Sequence, residues 1–119
     1  MIVGIGLDVV EMPRMAEIVA TKPNFIKRIL TPQEWQVFNS RKGQRQIEFI
    51  AGRFACKEAF SKAYGTGIGR EVSFQDIEVL TNAKGAPVVT QSPFTGSVFV
   101  SITHTKEIAV AQIILEKKD

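Results

Sequence analysis

The sequence predicts an α+β fold in which an antiparallel sheet wraps a long central helix, and three observations carry that expectation. Residues 2–10 alternate with period two. Residues 44–64 carry apolar side chains nearly all round at helical spacing. After Gly65 the period of two returns in four short runs. At 119 residues the chain is expected to form one domain over 1–119, near the size at which partners add stability.

In the opening strand Val3, Ile5, Leu7 and Val9 share one side, while Gly4, Gly6, Asp8 and Val10 share the other. A carboxylate thus stands on a strand beside two glycines, where another backbone or a ligand can come close. Residues 12–22 read as a short helix with Pro13 in its first turn. Thr31-Pro32-Gln33-Glu34 starts a second helix: Thr31 caps, Pro32 takes the first helical position and Glu34 completes a capping box. That helix runs to about Asn39, and Arg41-Lys42-Gly43 forms a loop. The long helix spans Gln44–Tyr64 and stops at Gly65. Strands are expected over Ile77–Leu80, Pro87–Thr90, Val98–Thr103 and Ile108–Leu115, with turns at Asn82–Gly85 and His104–Glu107.

Composition excludes several classes. Apolar residues at 45% and charged residues at 23% suit a globular chain and not a disordered one. No apolar run approaches the ~20 residues of a membrane-spanning helix. Met1-Ile2-Val3-Gly4 lacks the basic start of a signal peptide, so no membrane role is expected and the expected compartment is the cytoplasm. The single cysteine, Cys56, rules out an internal disulfide and reads as structural filler among apolar neighbours. Residues 12–57 hold nine lysines and arginines against Glu17, Glu34 and Glu48, a basic middle in a chain of net charge +3. Such polarity suits an acidic partner or phosphates, or is simply a solvated surface.

Along the long helix, Glu58 and Lys62 fall in line with Ile47 and Ala51, so the face buried upstream turns polar in its last two turns. A surface pair worth ~0.3–0.5 kcal/mol is the plain alternative. Buried carboxylates, however, are paired or bind metal. Asp8 and Glu58 can meet if the first strand packs across the helix, and two carboxylates with room for water and a phosphate suit Mg²⁺. Gly65-Thr66-Gly67-Ile68-Gly69 is not a P-loop, because its glycines follow a helix and no Lys-Ser/Thr ends it. It is either an anion-binding nest or a flexible helix exit. His104, the only histidine, sits at a hairpin tip.

Taken together these residues resemble the holo-acyl-carrier-protein synthase family of phosphopantetheinyl transferases. Gly4-Ile5-Gly6-Leu7-Asp8-Val9-Val10-Glu11 with Arg14 is similar to the family's opening strand and G-x-D signature. Arg53-Phe54-Ala55-Cys56-Lys57-Glu58-Ala59-Phe60-Ser61-Lys62-Ala63 is similar to its F-x-x-K-E-A-x-x-K-A helix. Gly65-Thr66-Gly67, Gly85-Ala86-Pro87 and Ser101-Ile102-Thr103-His104 follow in the family's order, so the resemblance covers nearly the whole chain.

The resemblance implies transfer of 4′-phosphopantetheine from coenzyme A to a serine of acyl carrier protein, with 3′,5′-ADP leaving. It implies that Asp8 and Glu58 hold Mg²⁺ with the coenzyme A pyrophosphate and that Lys62 neutralises a phosphate oxygen. Gly65 and Thr66 would lie along the phosphopantetheine arm. Arg53 and His104 would approach the 3′-phosphate, and Pro87, Ser101 and Thr103 the adenine. Arg14, Lys22 and Arg28 would receive the acidic carrier protein. The base that takes the serine proton is Glu58 or a water on the metal. The family also implies a homotrimer with each active site shared between two subunits. Two residues depart from the wider pattern. Longer members have an acid where this chain has Val10, and Cys56 replaces a more usual alanine.

Two other readings compete. A non-enzymatic basic module gripping an acidic protein leaves Asp8 and the polar stripe unexplained. A nucleic-acid binder wants aromatic and basic residues interleaved on an exposed surface, whereas the phenylalanines here fall at core-like positions.

Overall fold

The computed structural model describes residues 1–118. In chain order the elements are β1 (Ile2–Glu11), α1 (Met12–Thr21), α2 (Pro23–Ile29), α3 (Pro32–Ser40), α4 (Gln44–Tyr64), a 3-10 turn at Phe74–Asp76, β2 (Glu78–Thr81), β3 (Pro87–Gln91), β4 (Ser97–His104) and β5 (Ile108–Glu116). The strands are antiparallel, as expected, but they form two sheets. One has the order β1-β5-β4, and β2 pairs with β3 alone.

α4 is the buried spine, with Phe49, Ile50, Ala51, Ala55, Cys56, Ala59 and Phe60 in the core. β5 lays Ala109, Ala111, Ile113 and Leu115 against it. Glycine ends frame the helix: Gly43 precedes it, and Gly65 leaves it in the left-handed conformation, φ 94°.

β1 is turned inside out. Its buried side carries Gly4, Gly6, Asp8 and Val10, while Val3, Ile5, Leu7 and Val9 stand 47–62% exposed. The cause is close backbone packing. A methyl group added at Gly4 or Gly6 would overlap the carbonyl oxygens of Ala63 and Ala59 on α4. Only glycine lets the strand approach a helix this closely, and the apolar row is left facing out.

α2 carries no periodic signal because it is only seven residues long. Its C-terminal carbonyls are capped from far along the chain, where Gln75 Nε2 donates to the carbonyls of Lys27, Arg28 and Leu30 at 3.3, 3.1 and 2.6 Å. The predicted capping box of α3 is present, and it does more than cap. Glu34 is fully buried, and its carboxylate accepts from Thr31 N (2.8 Å), Val79 N (2.7 Å) and Lys57 Nζ (2.6 Å). Lys57 Nζ also donates to the carbonyls of Ile29 and Phe74, at 2.6 and 3.0 Å. Lys57 is thus not part of a basic surface: it is fully buried and ties α2, α3 and α4 to the 3-10 turn.

Removing one partner of such a pair leaves the other charged and unpaired in the core. Lys57→Met should cost about 3–5 kcal/mol of unfolding free energy. Urea denaturation at fixed protein concentration checks this, and Glu34→Gln added to it should recover part of the loss.

Candidate active site

Because β1 lies against α4 at Gly4 and Gly6, the next residue on the same side, Asp8, arrives beside the last turns of the helix. There it meets Lys62, whose Nζ donates to Asp8 Oδ1 at 2.9 Å and to the Leu7 carbonyl at 3.2 Å. The Glu58–Lys62 surface pair does not form. Among the described residues Glu58 has no cation in ion-pair range. Asp8 and Glu58 line one cleft of about 350 Å³, near enough for the Asp8 charge to act on the Glu58 carboxyl. Burial pushes the Glu58 carboxyl above its ordinary value, the Asp8 charge adds to the rise and Lys62 offsets part of it.

Val9, Val10, Glu11 and Arg14 complete that cleft, with an apolar wall of Met15, Ile18, Phe25 and Phe54. Arg14 therefore opens directly beside the carboxylates. Lys22, at the end of α1, and Arg28, in the last turn of α2, lie outside this cleft; Arg28 borders a separate groove with Ile68 and Phe74.

A second cleft of about 350 Å³ gathers Arg53, Pro87 and His104 with Arg41, Arg45 and Glu48, and no residue lines both clefts. Arg53 is only 8% exposed and already donates to the Val79 carbonyl at 3.0 Å and to Thr81 Oγ1 at 3.1 Å. It packs over Phe49 with 4.4 Å to the ring centre, a cation–π contact that fixes its plane. Sequence reasoning did not single out Arg41, Arg45 or Glu48. The available signal was the i, i+4, i+8 row Arg45-Phe49-Arg53 on one face of α4.

Ser101 and Thr103 are not brought to this cleft. Ile102, between them, turns toward Gly52 of α4, which sends both hydroxyls to the exposed side of the sheet beside the outward row of β1 and β5. Nor do Gly65 and Thr66 form an anion nest. The amides of Gly65, Thr66 and Gly67 all donate to the Ser61 carbonyl, at 3.0, 3.1 and 3.2 Å, and cap α4. The simpler reading of the glycine loop, a helix exit, is what the structure has. Cys56 is likewise structural, with burial pushing its thiol up to about 12.

Two hard oxygen donors in a partly buried cleft, one of them without a cation, fit a divalent ion that completes its shell with water and substrate phosphates. No group of three or more His, Cys, Asp or Glu with metal-binding geometry occurs among the described residues, so an all-protein cage is not what this site offers.

Known proteins resemble this chain over nearly its whole length. The family profile of the 4′-phosphopantetheinyl transferase superfamily matches residues 4–114. A holo-[acyl-carrier-protein] synthase of Enterococcus faecalis is 60% identical over 118 residues, 99% of this chain and 100% of that one. Among solved structures, a holo-(acyl-carrier-protein) synthase of Bacillus anthracis in complex with CoA (3′,5′-ADP) superposes with TM-score 0.93 at 50% identity, covering 99% of both chains. The Helicobacter pylori synthase in complex with coenzyme A gives TM-score 0.82 at 34% identity, covering 94% of this chain and 99% of that one.

The raised Glu58 carboxyl has a consequence for stability. A carboxyl that holds its proton more tightly in the fold than in the unfolded chain lowers stability as pH rises from its ordinary value of 4.5 through the folded one. Ionised Glu58 therefore opposes folding at neutral pH. In metal-free protein, Glu58→Gln should melt roughly a few degrees above wild type at pH 7. Thermal melts repeated at falling pH should show that gap closing toward pH 4.

Proposed function

The chain belongs to the 4′-phosphopantetheinyl transferase superfamily, and from that premise we propose how its own side chains carry the reaction. It transfers the 4′-phosphopantetheine group from coenzyme A to a serine of apo acyl carrier protein, giving holo carrier protein and 3′,5′-ADP. The observation that supports our assignment of roles is the meeting of Asp8, Glu58 and Lys62 where β1 crosses α4.

In this reading Asp8 and Glu58 hold Mg²⁺. When bound, the ion supplies charge neutralisation at the pyrophosphate, which otherwise repels the attacking serine oxygen. Lys62 donates to a phosphate oxygen and counts most as negative charge develops in the transition state. The serine proton passes to Glu58 or to a water in the cleft, both of which the carboxylate pair positions. Arg53 and His104, with Arg41 and Arg45 beside them, receive the 3′-phosphate, and Pro87 the adenine. Arg14, at the mouth of the carboxylate cleft, meets the acidic carrier protein, and Lys22 and Arg28 extend that basic side. The reaction belongs to the cytoplasm, and no helix among the described residues is long and apolar enough to cross a membrane.

The two clefts lie on different sides of α4, since Arg53 and Glu58 are separated by roughly 140° around a helix of 3.6 residues per turn. That separation supports an active site shared between subunits of a homotrimer, with the carboxylates from one chain and the nucleotide-binding groups from its neighbour. The exposed row Val3, Ile5, Leu7 and Val9, joined across the sheet by Phe99, supplies an apolar face that assembly would cover. Ser101 and Thr103, on that same face, would then border a neighbour's site.

Mass spectrometry of apo acyl carrier protein incubated with this protein, coenzyme A and Mg²⁺ should show added phosphopantetheine. Asp8→Ala should abolish the gain while leaving the melting curve intact. Full activity of that variant with Mg²⁺ as the sole divalent ion contradicts the metal assignment. Arg14→Glu should raise the KM for the carrier about ten-fold, a long-range effect that salt screens beyond ~8–10 Å, with coenzyme A affinity unchanged. Titrating carrier protein at low and high NaCl checks this, and an unchanged KM at low salt removes Arg14 from the partner surface.

A further inference from the structure

Lys62 is the one cation in ion-pair range of Asp8 among the described residues, and it is held twice, by Oδ1 of Asp8 and by the carbonyl of Leu7. The two ends of this pair differ sharply in environment. The Asp8 side chain is 16% exposed and that of Lys62 is 53% exposed. A mostly buried carboxylate beside a second carboxylate needs a positive charge near it at all times. An ammonium on a flexible stem in water can come and go at little cost. Lys62 holds Oδ1 of the carboxylate that a divalent ion would use, and two cations drawn to one carboxylate repel each other at close range.

We infer that Lys62 is the resident counter-ion of the carboxylate pair and is exchanged for the divalent cation, so that its ammonium is freed for the substrate phosphate only after the metal has bound. The inference rests on the reading of Asp8 and Glu58 as the metal ligands. Lys62 sits one helical turn beyond Glu58, so its ammonium stays anchored within reach of the cleft after it leaves Asp8. One side chain thus stabilises the empty site and then takes part in the reaction. The exchange also lowers the apparent affinity for the metal, because the ion binds only the fraction of molecules whose Lys62 has let go. An ion pair at the upper end of the exposed range lowers that affinity about five-fold.

The test uses the full chain and Mg²⁺ alone, without coenzyme A. Nitrogen-15 spectra of the lysine side chains should show a Lys62 signal displaced in wild-type protein from its position in Asp8→Asn, and moving to that position as Mg²⁺ is added. Calorimetry should show Lys62→Met binding Mg²⁺ about five-fold more tightly than wild type. Mg²⁺ uptake with an unmoved Lys62 signal, or with equal affinity in Lys62→Met, overturns the exchange while leaving the metal site in place. Failure of wild type and Lys62→Met to take up Mg²⁺, even with coenzyme A present, overturns both the exchange and the metal reading beneath it.

Discussion

The contact on which the rest of the structure depends has no side chains in it. Gly4 and Gly6 of β1 lie against the carbonyl oxygens of Ala63 and Ala59 on α4, closer than any Cβ would allow. That approach sets the depth of the strand, and the depth sets where Asp8 ends up. A methyl at Gly6 would have to move the strand off the helix, and Asp8, two residues on, would move with it. The same contact turns the strand inside out and leaves the apolar row of Val3, Ile5, Leu7 and Val9 facing away from its own core. The site and the exposed apolar row are therefore two results of one packing choice.

A second constraint holds α4 from its other side. Lys57 and Glu58 are neighbours in sequence with opposite uses. Lys57 points into the core, where Glu34 and two backbone carbonyls saturate its ammonium. Glu58, turned about 100° around the helix, emerges in the cleft without a cation. Every buried side-chain nitrogen and oxygen among the described residues has a hydrogen-bond partner, so the rotation of α4 is fixed by saturated polar contacts as well as by apolar packing. Lys57 and Glu34 satisfy each other in the core, while the adjacent carboxylate is left without an ion pair, which is the condition a cation site requires.

Much of this was legible in the residues. The period of two in residues 2–10, the Thr31 capping box, the Gly65 stop and the polar end of the Glu58 face all appear in the structure where local chemistry placed them. What was not legible depends on partners distant in sequence. α2 is capped by Gln75, more than forty residues away, so its own seven residues carry little sign of it. Lys57 reads as one more surface cation until Glu34 is seen folded against it. The glycine loop could cradle an anion or close a helix, and only the direction of its amides toward Ser61 decides between them. The division into two sheets likewise follows from the β4–β5 and β2–β3 registers, which no alternation pattern encodes.

The central claim is that glycine at the strand–helix contact brings the carboxylates together, and Gly6→Ala tests it most directly. The added methyl must push β1 off α4 at Ala59, an overpacking that should cost about 1–3 kcal/mol of stability. At a temperature where the variant is still folded by circular dichroism, phosphopantetheine transfer should fall about a hundred-fold, the scale of a 1 Å misplacement of reacting groups. A Gly6→Ala protein with the melting temperature and turnover of wild type would contradict the account.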